Sequence, residues 1–295
     1  MQAKQEKPED EAYQVFEHYS QLTLPKMVFE ALNGSTGNTG VAVVGHAGIG
    51  KSAYVYNSVK VGYMLYLCHP EGIGLNDTVG CWGFITREYG DVCFGKHCEE
   101  PDELDKKLRK YVFVGNEDID RLNEYLKELI GGEKPRRLPV LFLDDLALKG
   151  LYHMGGRYKE LHIVLKRLYQ FRRTLARLTI VTSPSKDDLI DVFSDFRYVY
   201  GNADFTKVWF VRWETFRAKV TLKFHYGQFL NAYKTFYDLA WMDEIPRKSI
   251  FGMPKWLEEA IDARKRRIIL DAIARYEEVK RREEEKEKKA GVSGA

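Results

Sequence analysis

The sequence predicts an α/β fold in three layers, with a mainly parallel sheet flanked by helices and a helical extension at the C-terminal end. Three observations carry that expectation. Val41-Ala42-Val43-Val44, Leu138 to Leu143 and Leu178 to Val181 are short continuous apolar runs, the signature of strands buried on both faces. Segments with helical spacing stand between them, the alternation expected of a parallel sheet. From Pro254 onward the chain is dense in charge, with acid-then-base pairs four residues apart such as Glu278–Arg282 and Glu285–Lys289 that support an exposed helix.

In chain order, residues 1–38 read as an N-terminal helical segment, amphipathic from Tyr13 to Leu32 and closed by the loop Asn33 to Asn38. The strand at Val41 leads through a glycine-rich turn into a helix from Lys51 to about Val61, and Tyr63 to Leu67 suggests a second strand. Residues 68–110 look irregular, are rich in glycine, and hold all four cysteines. Tyr111 to Val114 reads as a strand. Ile119, Leu122, Leu126 and Leu129 have helical spacing, and Gly131-Gly132 ends that helix. After the strand at Leu138, a long helix is expected from Arg157 to Arg177, and a further helix from Asp187 to Asp195. Val208 to Trp213 and Lys219 to Phe224 look like a pair of strands with alternating character. The expected organisation is therefore a core over 39–226, with 68–110 inserted in it, and a helical C-terminal region with a charged tail over 227–295.

The 295 residues are 44% hydrophobic, ample for a core. No run approaches the ~20 apolar residues of a membrane-spanning helix, and the first residues lack the apolar stretch of a secretory signal. The expectation is a cytoplasmic protein with no membrane span. The net charge of +3 argues against a strongly basic nucleic-acid binder, yet it conceals −7 over residues 1–135 and +10 over 136–295. Such asymmetry points to a polyanion partner for the second half.

Gly45-His46-Ala47-Gly48-Ile49-Gly50-Lys51-Ser52 matches G-x-x-x-x-G-K-[ST] without a mismatch, between a buried strand and a helix that continues through Ala53. Glycines let backbone N–H groups turn inward around a β-phosphate, and the following helix points its positive end at it. The expected ligands are ATP and Mg²⁺, with Lys51 on the β- and γ-phosphates and the Ser52 hydroxyl on the metal. Leu141-Phe142-Leu143-Asp144-Asp145 is an apolar strand ending in two carboxylates: Asp144 would hold Mg²⁺ and Asp145 would polarise the attacking water. Thr182 or Ser183, at the end of the next strand, could orient that water.

This order of phosphate loop, acidic strand and polar strand end resembles the ATPases of the AAA+ and RecA-like division, in detail those related to DnaA, DnaC and IstB. The resemblance covers about residues 39–212 and rests on the phosphate loop and Leu143-Asp144-Asp145-Leu146; more loosely, the layout is similar to uncharacterised ATPases of crenarchaeal viruses and plasmids. It implies self-association as a ring or filament. It also implies an arginine finger serving a neighbouring subunit, which Arg197 matches by position, a solvated or ion-paired arginine being the other reading. Three departures stand out. The span from Lys51 to Asp144 is long, Asp145 replaces the usual glutamate, and no sensor arginine stands out in the C-terminal part, where Arg247 and Arg264 are the candidates.

Cys68, Cys81, Cys93 and Cys98, with His69 and His97 beside two of them, admit a zinc site, structural disulfides or buried free thiols; the absence of a C-x-x-C pair weighs against zinc. Residues 157–177 carry seven basic side chains, Arg172 and Arg173 among them, against Glu160 alone. They could neutralise DNA phosphates or form a solvated face. The C-terminal helix looks like an arm for a protein partner. The function expected is thus an oligomeric AAA+-type ATPase acting on DNA, in replication initiation, helicase loading or mobile-element maintenance. The alternatives are a DNA-translocating packaging or conjugation motor and an ATP-switched regulatory or scaffold protein with little turnover.

Overall fold

A computed structural model describes residues 11–35, 39–46, 48–72, 75–109, 111–113, 137–144, 176–185, 196–201, 207–223, 229–245 and 252–292, with Glu124, Lys127 and Glu128. The chain opens with two helices, α1 (Glu11–Gln21) and α2 (Thr23–Asn33). The amphipathic segment breaks between them, at Leu22. Leu22 has no side chain that can cap α2, and a carboxylate from far along the chain does so instead: Asp243 accepts from the Thr23 N–H at 2.7 Å and the Thr23 hydroxyl at 2.9 Å. Pro25 falls in the first turn of α2, where a missing N–H costs nothing.

Strand β1 (Thr39–Val44) is followed by α3 (Lys51–Cys68). The strand expected at Tyr63 to Leu67 does not form, because α3 runs through it. This helix packs against α1 and α2, and also against α4 (Thr78–Tyr89) and α5 (Glu103–Leu108). Residues from Tyr54 to Leu65 are buried without interruption, so the helix lacks the polar face that would reveal its period and imitates a buried strand. Gly62 permits the closest approach: a Cβ there would lie 2.6 Å from Val28 Cβ and 2.7 Å from the Pro25 carbonyl of α2.

Helices α4 and α5 lie inside residues 68–110, which are not irregular throughout. Asp77 caps α4 by accepting from the Gly80 N–H at 2.9 Å. Asp102 and Asp105 form a reciprocal capping box at the start of α5. The cysteines take the second of their three readings: Cys68 is bonded to Cys81 and Cys93 to Cys98, and no cysteine among the described residues is free.

The strands β2 (Val112–Phe113), β3 (Leu138–Leu143), β4 (Ala176–Ser183), β5 (Arg197–Gly201), β6 (Lys207–Lys223) and β7 (Phe229–Glu244) join β1 in one seven-stranded sheet, ordered β2-β3-β4-β1-β5-β6-β7. The first five strands in that order pair in parallel, and β5-β6 and β6-β7 are antiparallel. An α/β fold with a mostly parallel sheet is what the apolar runs predict.

Two expectations change here. Ala176 and Arg177, read as the end of a helix from Arg157, open β4 instead; residues 157–175, with six of the seven basic side chains, lie outside the described residues, as do those of the helix read at Asp187 to Asp195. The paired strands read at Val208 and Lys219 are one strand, β6, whose partner β7 falls in the region expected to be helical. Register shifts between Phe210 and Val211, Val211 and Trp213, and Glu214 and Phe216 interrupt the alternation of β6, which splits it in the sequence. Helix α6 (Lys255–Val292) then forms the expected C-terminal extension. No helix among the described residues is long and apolar enough to cross a membrane.

Candidate functional site

The glycine-rich turn leaves the C-terminal end of β1 and is tied at its start to the neighbouring strand, Gly45 N–H donating to the Ser183 carbonyl at 3.2 Å. Gly48 and Gly50 have φ of 81° and 102°, and a Cβ on either would meet nothing within 4 Å. Glycine is needed there for the backbone, not for room. Helix α3 starts at Lys51, whose side chain is 8% exposed and whose Nζ donates to the His46 carbonyl at 2.8 Å. The ammonium is thus held over the turn. Ala47 lies outside the described residues, and His46 and Ile49 contribute backbone to the turn.

Two other strand ends meet this turn. Parallel register sets Leu143 of β3 beside Val181 of β4, and Val43 of β1 beside Thr182. One residue beyond Leu143, Asp144 therefore arrives next to Thr182. Its Oδ1 accepts from the Thr182 hydroxyl at 2.6 Å and from the Ser52 hydroxyl at 2.7 Å. All three side chains come from segments far apart in sequence, and Asp144 and Thr182 are buried. Of the pair Thr182 and Ser183, Thr182 borders the cavity described below, while the Ser183 hydroxyl donates to the Ser185 carbonyl at 2.8 Å.

The turn, Ser52, Asp144 and Thr182 border a cavity of about 310 Å³, near the lower end of the range for ligand sites. Ala53 also lines it. Ser52 and Asp144 offer the hydroxyl and carboxylate oxygens that suit a hard divalent cation. The remaining wall was not legible locally. Lys96 comes from the insertion, and Met253, Glu258 and Asp262 from the start of α6 and the residue pair before it. Helix α6 presents two carboxylates to the cavity, Glu258 and Asp262; Arg247 and the Arg264 side chain, the sensor candidates, lie outside what is described.

No family model matches this chain, and no curated protein or solved structure is significantly similar to it. The reading of the cavity therefore rests on its own geometry.

Two sequence-predicted residues do not join the cavity in this description. Asp145 lies outside the described residues. Arg197 opens β5, exposed, in register with Val41, three residues before the end of β1. The zinc reading also changes. Ligand atoms of Cys93, His97 and Cys98 lie within 4.8 Å of one another, but with the two sulfurs bonded together they are not thiolate ligands.

Proposed function

We propose that this chain is a P-loop ATPase of the AAA+ type, with a three-layer core, that binds and hydrolyses Mg-ATP in the cavity above β1 and acts on DNA as an oligomer. The observation that carries the reading is the meeting of Ser52, Asp144 and Thr182 at one carboxylate oxygen beside the glycine turn. A glycine-rich match alone is a turn. A turn whose serine shares a buried aspartate with a hydroxyl from the strand between them has the hydroxyl and carboxylate that hold Mg²⁺ in P-loop phosphoryl transfer.

In this reading Lys51 and the turn's N–H groups hold the phosphates, while Ser52 and Asp144 would hold Mg²⁺. The metal, when bound, neutralises charge on the phosphate oxygens. Thr182 keeps Asp144 oriented and places a hydroxyl at the cavity wall. The DNA role is supported by the +10 charge of residues 136–295.

A second reading is favoured by one observation: among the described residues no arginine lines the cavity, and its far wall is acidic. That composition suits an ATP-switched regulatory protein with little turnover. ATPase turnover measured with and without single- and double-stranded DNA separates the two. The motor-like and loader-like forms of the first reading require turnover stimulated by DNA, reduced about 10²-fold or more in Lys51→Ala. Tight ATP binding with negligible turnover, indifferent to DNA, selects the switch. A wild-type protein that neither binds nor hydrolyses ATP overturns both.

A further inference from the structure

Lys96 reaches the cavity from a loop with no sequence connection to the phosphate turn, and that loop is fastened on every side. It spans Cys93 to Cys98 and is closed by the bond between them. The Cys93 carbonyl accepts from Lys60 Nζ of α3 at 2.8 Å, and the Cys93 N–H donates to Asp102 at the start of α5 at 3.1 Å. At the other end the Cys98 carbonyl accepts from the Lys255 N–H of α6 at 2.9 Å. Phe94, 1% exposed, anchors the loop in the core beneath it. Gly95, at φ 91°, turns the chain so that the next residue stands clear. Lys96 itself is exposed and borders the same cavity as Lys51, Ser52 and Asp144.

The charges around the cavity give that lysine a task. Three carboxylates border it, Asp144, Glu258 and Asp262, against two described cations, Lys51 and Lys96. A polyphosphate entering such a space is repelled by the acidic wall unless both cations face it, and a divalent metal offsets the charge of Asp144. Lysine serves phosphates as a mobile point charge on a flexible stem. A rigid loop carrying one such stem is suited to bring that charge to a ligand without moving the backbone.

We propose that Lys96 is a second phosphate-binding cation, supplied by the insertion of the same chain, which favours nucleoside triphosphates over diphosphates. The proposal rests on the reading of the cavity as a nucleotide site. Its selectivity follows from Coulomb attraction, which grows with the charge of the ligand. Lys96 thus supplies positive charge within one subunit, independently of any arginine from a neighbour.

The test is calorimetric binding of Mg-ATP, Mg-ADP and adenosine to the full chain and to its Lys96→Ala, Lys96→Arg and Lys51→Ala variants. Thermal unfolding of each variant serves as the folding control, and an exposed lysine is expected to leave it unchanged. Lys96→Ala is expected to weaken ATP about tenfold, ADP less, and adenosine not at all, with a shallower salt dependence for ATP. Lys96→Arg should keep most of the affinity. ATP affinity within twofold of wild type in Lys96→Ala, or equal losses for ATP and adenosine, overturns the proposal while leaving the nucleotide site intact. A wild-type protein that binds none of the three, or a Lys51→Ala variant that binds ATP unchanged, overturns the reading beneath it.

Discussion

At the scale of single residues, the cavity turns on Asp144 Oδ1, which accepts two hydroxyls at once. Thr182 is the more informative of the two donors, since it is fully buried and stands on a strand apart from the glycine turn that carries Ser52. Thr182→Val keeps the shape and removes the hydroxyl, taking away one of the two donors that orient Asp144 Oδ1. If the site hydrolyses ATP, kcat should fall about 10- to 10²-fold with KM little changed, because the lost contact orients groups for reaction and does not grip substrate. Stability should fall by only about 1 kcal/mol. Steady-state kinetics with a parallel denaturant titration measures both, and Thr182→Ser should recover most of the rate. An unchanged kcat in Thr182→Val would remove the residue from the machinery.

Among the elements, the insertion is held by a buried ionic cluster. Lys60 of α3 is completely buried and lies 2.6 Å from Asp102 and 2.7 Å from Asp105 of α5, while the Tyr56 hydroxyl donates to Asp105 at 2.5 Å. Burial pushes the Asp105 carboxyl above its ordinary range; the Lys60 ammonium opposes that shift and the Asp102 charge adds to it. A carboxyl raised in the folded state stabilises the fold fully below its ordinary value near ~3.9, and that contribution is lost as pH rises through the raised value. Lys60→Met removes the cation that limits this loss. The variant should be less stable than wild type by about 3–5 kcal/mol at neutral pH, and the deficit should shrink as Asp105 takes a proton in acid. Denaturation of both proteins across that pH range checks it; a deficit that grows toward acid pH contradicts the assignment. The same cluster explains what was legible in the sequence and what was not. Buried strands such as Val41 to Val44 announce themselves because a parallel sheet is apolar on both faces. The true extent of α3 is hidden, since Lys60, Asn57 and Ser58 are buried among apolar neighbours and interrupt no pattern a local reading would recognise. Likewise Asp102 and Asp105 look like surface acids until their partner Lys60, some forty residues upstream, is in place.

Across the whole molecule, the glycine turn, the aspartate strand and the polar strand end are legible from local motifs, because each obeys its own spacing. The far wall was not, because Lys96 and α6 reach the cavity only through folding; no periodicity links Lys255 to the Cys98 carbonyl it binds. Arg197 poses the remaining question of scale. It opens β5 beside Val41, so it sits about 10 Å along the strand direction from the level at which the glycine turn leaves β1. It is exposed and does not border the cavity of its own chain. If it contributes to hydrolysis, it must do so at the cavity of another copy. Arg197→Ala and Lys51→Ala proteins should then each be inactive alone. Mixed in equal amounts, they should recover a measurable part of wild-type turnover, because an intact Lys51 cavity on one subunit can meet an intact Arg197 on the next. Recovery should rise with total protein concentration, as association of subunits demands. An active Arg197→Ala protein, or a mixture that stays inactive at concentrations where the chains associate, makes Arg197 a solvated residue and leaves the cavity to the cations of its own chain.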